Sequence, residues 1–211
     1  MADAPEVVAI PNGSFAQNTY VVIDQASREA AVVDPGEEHG RILAALRHRE
    51  RRVVAIWLTH AHIDHIMGVD AVREATGAPV WLHPADRGWY DRLPEQGRHF
   101  GIAGLDAPAP PDHALSHGDT LTLGPYRFAV RHVPGHSPGH VAFTGHGLCI
   151  SGDVIFREGV GRTDLAGGDW PTLRASIEAE IMSLPDDTRI LPGHGPETTV
   201  GHERERNPFL T

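Results

Sequence analysis

The sequence contains no lysine; all eighteen of its basic residues are arginine. A lysine nucleophile or Schiff base is thereby excluded, and any anion must be met by Arg, His or backbone. Cysteine is nearly absent too. Cys149 stands alone, which excludes an intrachain disulfide, and its setting Leu148-Cys149-Ile150 reads as a strand interior where it serves as a small core hydrophobe. No apolar run approaches the roughly 18 residues of a membrane span. The start, Met1-Ala2-Asp3-Ala4-Pro5-Glu6, has neither the basic nor the apolar region of an export signal. The expected location is the cytoplasm, with no membrane partner. Positive charge is scarce, with Asp+Glu 28 against Lys+Arg 18 and a net charge of −10, so a nucleic-acid backbone is not the expected partner. A chain of 211 residues fits one domain, or two small ones, with a sizeable core.

What the chain has in quantity is histidine. The stretch Thr59-His60-Ala61-His62-Ile63-Asp64-His65 follows the apolar run Val53-Val54-Ala55-Ile56-Trp57-Leu58. That run is β-branched and short, which predicts a buried strand with the histidines on the loop after it. Residues two apart in extended backbone share a side, so His60 and His62 can grip one ion together. The chain must then turn for Asp64 and His65 to reach a second. The spacing is not the i, i+4 histidine pair of a zincin helix.

Along the chain, strands are expected at 6–10, 18–24 and 29–34, then a helix near 37–50, the strand 53–58, a helix near 66–76 and a strand at 80–82. Residues 84–118 are rich in Gly and Pro and read as a long irregular insert, functional or simply packed on the surface, with Trp89, Tyr90 and Phe100 within it. Strands return at 120–123, 126–133, 141–144, 148–151 and 188–191. Helices are expected over 170–184 and 198–206, the first with Pro171 in its opening turn. One echo stands out: Pro134-Gly135-His136 and Pro192-Gly193-His194 each close a strand. It suggests two similar half-domains facing each other.

The candidate ligands are His60, His62, Asp64, His65, His136, Asp153 and His194, each after a strand or strand-like run. Asp153 has two oxygens and can bridge two ions. Nitrogen and oxygen donors without sulfur suit Zn²⁺, Fe²⁺ or Mn²⁺. His140 is a candidate for supporting a ligand from behind.

Thr59-His60-x-His62-x-Asp64-His65, Pro134-Gly135-His136-Ser137-Pro138-Gly139-His140, Ser151-Gly152-Asp153 and Pro192-Gly193-His194, in that order, resemble the metallo-β-lactamase superfamily. The resemblance runs from about Gln17 to Phe209. It implies an α/β fold, the four-layer αβ/βα sandwich, as a single domain over 1–211 with its metals at the edge between two mixed sheets. The stretches 93–101, 152–164 and 192–210 resemble more closely the short, single-domain hydroxyacylglutathione hydrolases, which are glyoxalase II-like. Longer glyoxalase II enzymes carry a C-terminal helical domain and glutathione-binding lysines, and neither is present in this sequence.

The resemblance implies a metal-dependent thioester hydrolase acting on a small molecule such as S-lactoylglutathione. It implies two divalent ions, zinc foremost with iron or manganese as alternatives. One is expected on His60, His62, His136 and Asp153, the other on Asp64, His65, Asp153 and His194. A hydroxide between them is the expected nucleophile, with Asp64 orienting it. Arg157 and Arg162 are candidate substrate contacts, since Arg pairs with carboxylates in a planar fork; Arg162 has Asp164 as a competing partner. Trp89 and Phe100 are candidates to close over the thiol carrier. The competing readings are a mononuclear iron persulfide dioxygenase using His60, His136 and Asp153, another hydrolase of the fold such as a lactonase or nuclease, and a closed metal-binding module without activity. Nothing in the sequence specifies an oligomer.

Overall fold

A computed structural model of the chain describes residues 4–48 and 50–210. Strands β1 (Glu6–Asn12), β2 (Gln17–Ile23) and β3 (Glu29–Val33) form an antiparallel meander. Helix α1 (His39–His48) then carries the chain back so that β4 (Arg52–Trp57) pairs parallel with β3. A parallel neighbour needs such a crossover, because a tight turn can only reverse the strand. Helices α2 (Ile63–Ile66) and α3 (Val69–Thr76) precede β5 (Val80–Leu82). Helices α4 (Arg87–Asp91) and α5 (Leu93–His99) precede β6 (His113–Ala114). These six strands make one sheet in chain order.

A second antiparallel meander follows: β7 (Thr120–Leu123), β8 (Tyr126–His132), β9 (Val141–Gly145) and β10 (Leu148–Gly152). The small hairpin β11 (Ile155–Phe156) and β12 (Gly159–Val160) stands apart. Helix α6 (Trp170–Ser176), continued by a π turn over Ile177–Ile181, crosses back to β13 (Arg189–Pro192), parallel to β10. Strand β14 (Thr198–Thr199) and α7 (Val200–Arg206) finish the chain. The second sheet runs β14-β13-β10-β9-β8-β7.

Side-chain alternation assigns the layers. On β2, Tyr20 and Val22 join Trp57, Phe128, Phe143 and Ile150 in a cluster between the sheets. Val21 and Ile23 point the other way, onto Ile42 and Leu46 of α1 and Val69 and Val72 of α3. The second sheet does the same: Cys149, Ala142 and Ile190 pack under Leu173, Ile177 and Ile181. Trp57 anchors the middle, its ring 5.6 Å from Phe128 and 5.7 Å from Phe143. Both sheets are mixed and each carries helices on its outer face, so the architecture is the αβ/βα four-layer sandwich.

Three expectations need correction. The segment 84–118 is not irregular throughout; a 3-10 turn at Pro84–Asp86, α4 and α5 fill its first half. Pro94 is tolerated in the first turn of α5. Gly97 lies inside α5 because a Cβ there would meet Ile102 O at 2.8 Å and Leu105 Cδ1 at 2.9 Å as the chain folds back. The helix expected near 66–76 begins only at Val69, as α3, because the separate turn α2 precedes it and the two are parted at Gly68, whose Cβ would sit 2.4 Å from Gly36 O. The two Pro-Gly-His turns do not mark two facing halves, since β8 and β13 belong to the same sheet.

Candidate metal centre

The seven candidate ligands meet at one edge of the sandwich. His60 and His62 leave β4, and His62 is the residue before α2, a single turn that carries Asp64 and His65. That turn is the change of direction the spacing demanded, with both residues helical rather than on a loop. His136 follows β8, Asp153 follows β10 and His194 follows β13. The donor atoms of His60, His62 and His136 lie within 4.8 Å of one another, as do those of Asp64, His65 and His194. Asp153 lies between the groups. Its Oδ1 is 3.3 Å from His65 Nε2, and its Oδ2 is 3.6 Å from His136 Nε2 and 3.5 Å from His194 Nε2.

The polar atoms of this cluster fit a cation. His62 Nδ1 faces His136 Nε2 at 2.8 Å, a distance at which two ring nitrogens share a proton or a positive ion. His60 Nε2, His65 Nε2 and Asp153 Oδ1 are buried without a hydrogen-bond partner. Orphaned buried polar atoms cost about 1–3 kcal/mol each, a cost that coordination to a divalent ion removes. Burial, followed by the neighbouring histidines, drives His60 well below the ordinary imidazole value. Burial and His136 push His62 down to about 3, so its ring is neutral near pH 7 and able to ligate. Burial opposes charge on His65 and His194 as well. There Asp64 and Asp153 outweigh it, lifting His65 well above its usual range and His194 to about 9. The second group is thus a paired-charge cluster, with carboxylates held ionised by their histidines despite burial.

The rings are fixed from behind. Asp34 Oδ2 faces His65 Nδ1 at 3.0 Å and accepts from Thr59 Oγ at 2.6 Å, while its Oδ1 accepts from Thr59 N at 2.7 Å. His136 Nδ1 meets Arg162 O at 2.8 Å, and His194 Nδ1 meets Phe15 O at 3.1 Å. Such partners fix the tautomer and orientation of a ligating ring. His140 Nε2 accepts from Asp153 N at 3.0 Å, in keeping with a supporting place. Asp86 joins the two histidine loops, accepting from Ala61 N, Ser137 Oγ and Gly139 N. Gln96 of α5 accepts from Ile63 N at 2.9 Å and donates to Ala61 O at 3.0 Å.

Asp34, Asp86 and Gln96 were not singled out in the sequence. Asp34 carried a usable signal, since it ends an apolar strand as Asp153 does. It also holds φ at 51°, a strained setting for a non-glycine residue and one concentrated at functional sites. Asp86 and Gln96 lie in the stretch whose composition hid its helices.

A cavity of about 690 Å³ opens above the cluster. His62, Asp64, His136, Asp153 and His194 line its floor, while His60 and His65 are fully buried beneath. Trp89 and Phe100 form part of its wall, together with Phe15, Phe156 and Leu165. Trp89 meets the His62 ring edge-on at 5.3 Å, and Phe100 meets Phe15 edge-on at 5.4 Å. Arg162 lines the cavity, but its guanidinium is held by both oxygens of Asp164 at 2.7 and 2.8 Å. Arg157 lies outside the lining: the register Phe156 with Gly159 leaves 157–158 as the exposed tip of a hairpin.

The sequence model of the metallo-beta-lactamase superfamily matches residues 12–194, most of the chain and all seven clustered residues. The chain belongs to the metallo-beta-lactamase superfamily. Within that superfamily, the hydroxyacylglutathione hydrolase GloC of Haemophilus influenzae is 36% identical over 204 residues, covering 95% of this chain and 96% of its own. The crystal structure of the BLEG-1 B3 metallo-beta-lactamase matches with a TM-score of 0.92 at 41% identity, covering 98% of this chain and 100% of its own. That of TTHA1623 in a di-iron-bound form matches with a TM-score of 0.88 at 40% identity, covering 96% and 100%. The coarse activity follows from membership: a metal-dependent hydrolase, with divalent metals bound by a cluster of His and Asp. Among the described residues, no helix is long and apolar enough to cross a membrane.

Proposed function

We propose that the chain is a thioester hydrolase, acting as one domain in the cytoplasm on S-acyl derivatives of a small anionic thiol such as S-lactoylglutathione. Two divalent ions, zinc foremost, are held by His60, His62, His136 and Asp153 and by Asp64, His65, Asp153 and His194. The observation that carries this reading is the cavity, whose polar floor meets an aromatic wall within a volume suited to a ligand of tripeptide size. The hydroxyacylglutathione hydrolase relative, similar over nearly the whole chain, supports the substrate class.

Ions bound at this floor supply a water with a pKa of about 7 and a Lewis acid for the thioester carbonyl. The chain's residues do the rest. Asp64 lines the cavity with Oδ2 3.1 Å from His194 Nε2, and in this reading it orients the attacking water and holds its proton. Trp89 and Phe15 exclude solvent from the reacting group. A thiolate whose conjugate acid has a pKa of about 8.5 leaves with little proton help, so no general acid is demanded of the wall.

The test is release of free thiol from S-lactoylglutathione by metal-loaded protein without oxygen, alongside metal analysis of the same preparation. Turnover lost on chelation and restored by zinc is the expected result. Oxygen consumption with glutathione persulfide, and no thioester hydrolysis, would replace this reading with the dioxygenase.

A further inference from the structure

Arg92 joins α4 to α5 at the wall of the cavity, outside the metal centre. Two contacts hold it. Its Nε donates to Gly88 O at 2.7 Å, and its guanidinium carbon lies 5.6 Å from the centre of the Trp89 ring. The same indole meets the His62 ring edge-on at 5.3 Å. The Trp89 indole thus links the guanidinium to the metal cradle, and the exposed Arg92 side chain lines the cavity.

Two other charged groups of the wall are already engaged. Arg162 is locked to Asp164, and Glu95 is paired with Arg98 at 3.1 Å. Among the described residues Arg92 has no carboxylate partner, though the chain carries a net charge of −10. A guanidinium with no carboxylate partner, held over an aromatic face at the wall of a cavity, is pre-organised for two-point recognition of a carboxylate.

We infer that Arg92 is the carboxylate anchor of this cavity, selecting thioesters whose thiol carrier bears a carboxylate about one residue beyond the sulfur-bearing residue. In extended backbone that carboxylate lies on the order of 7 Å from the sulfur-bearing residue, and Trp89 contacts both the cradle residue His62, at 5.3 Å between ring centres, and Arg92, at 5.6 Å. The inference rests on the thioester reading for its substrate class. It assigns the anion contact to Arg92 rather than to Arg157 or Arg162.

Binding tests it separately from turnover. S-hexylglutathione, and the neutral S-hexyl-N-acetylcysteamine, are titrated calorimetrically into metal-loaded wild type, Arg92→Gln and Arg92→Lys. Gln keeps a donor for Gly88 O but removes the charge; Lys restores charge without the fork. The expected result is a Kd for S-hexylglutathione raised roughly 10- to 100-fold in Arg92→Gln, partly recovered in Arg92→Lys, with a much smaller change for the neutral ligand. Wild-type affinity for the anionic ligand should fall as salt rises. Equal weakening for both ligands, an unchanged Kd, or no binding by wild type would overturn the anchor. Selective binding through Arg92 without hydrolysis of any thioester would overturn the proposed activity and leave the anchor standing.

Discussion

Gly193 shows how tightly single residues are specified at the metal centre. A Cβ on it would lie 2.0 Å from Asp153 Oδ1 and 2.8 Å from His65 Cε1, two atoms of the proposed ligands. Gly193→Ala must therefore displace Asp153, the carboxylate facing both ligand groups. We expect the variant to be purified with at least one equivalent of metal fewer than wild type and an unchanged far-ultraviolet circular dichroism spectrum. Full metal content would show that the cradle yields without losing its grip. At this scale the sequence is most legible, because ligand chemistry admits few residue types. His60, His62, Asp64, His65, His136, Asp153 and His194 can be picked out by kind and by position after strands. Asp34 is harder to see because many buried groups can orient a ring. Its place behind His65 depends on β3 lying beside β4, with Val33 opposite Trp57.

The α4–α5 pair is the element that sequence composition concealed and that the cavity needs. It brings Trp89, Arg92, Gln96 and Phe100 to the wall, and Gln96 ties it to the histidine loop by side-chain bonds to Ile63 N and Ala61 O. Gln96 also donates to Trp89 O at 2.9 Å, so one buried amide holds both wall and floor. Gln96→Ala strands these buried backbone groups and is expected to lower stability by about 2–4 kcal/mol. It should also weaken substrate binding through the loosened wall. The exposed neighbour Glu95 supplies the comparison, since Glu95→Ala should stay within about 0.5 kcal/mol. Urea unfolding of the two variants decides the matter, and equal small losses would mean that the wall is held by packing alone. Pro94 and Gly97 made this element read as loop. Each is tolerated for a local reason, a first-turn position for Pro94 and a close approach at Gly97, that composition cannot express.

Cys149 probes the whole molecule because it lies under α6 in the outer core of the second sheet, fully buried. Burial pushes its thiol up to about 12, and only the thiolate is nucleophilic. At pH 8 the folded protein should therefore not react with a disulfide reagent over hours, while one equivalent should react at once in guanidinium chloride. A rate independent of stabilising metal would report local opening of α6, and a rate suppressed by metal would report global unfolding. Rapid labelling of the folded protein would contradict the burial of Cys149 under α6.

The sequence by itself determined the order of most strands and helices, since apolar periodicity reports burial of one face, and it determined the donor set, since few side chains bind metal. It also fixed the chemical limits: no lysine to hold an anion and no disulfide to staple the chain. The tertiary structure decided what is shared. Thr59, His65 and Asp34 meet because parallel pairing brings β3 and β4 side by side. Asp153 faces both ligand groups because β10 ends beside β13 at the open edge of the sandwich. The inferred preference for Arg92 over Arg157 and Arg162 is likewise spatial. Which guanidinium reaches the cavity unpaired depends on the neighbours each one meets after folding, and sequence spacing carries no record of those neighbours.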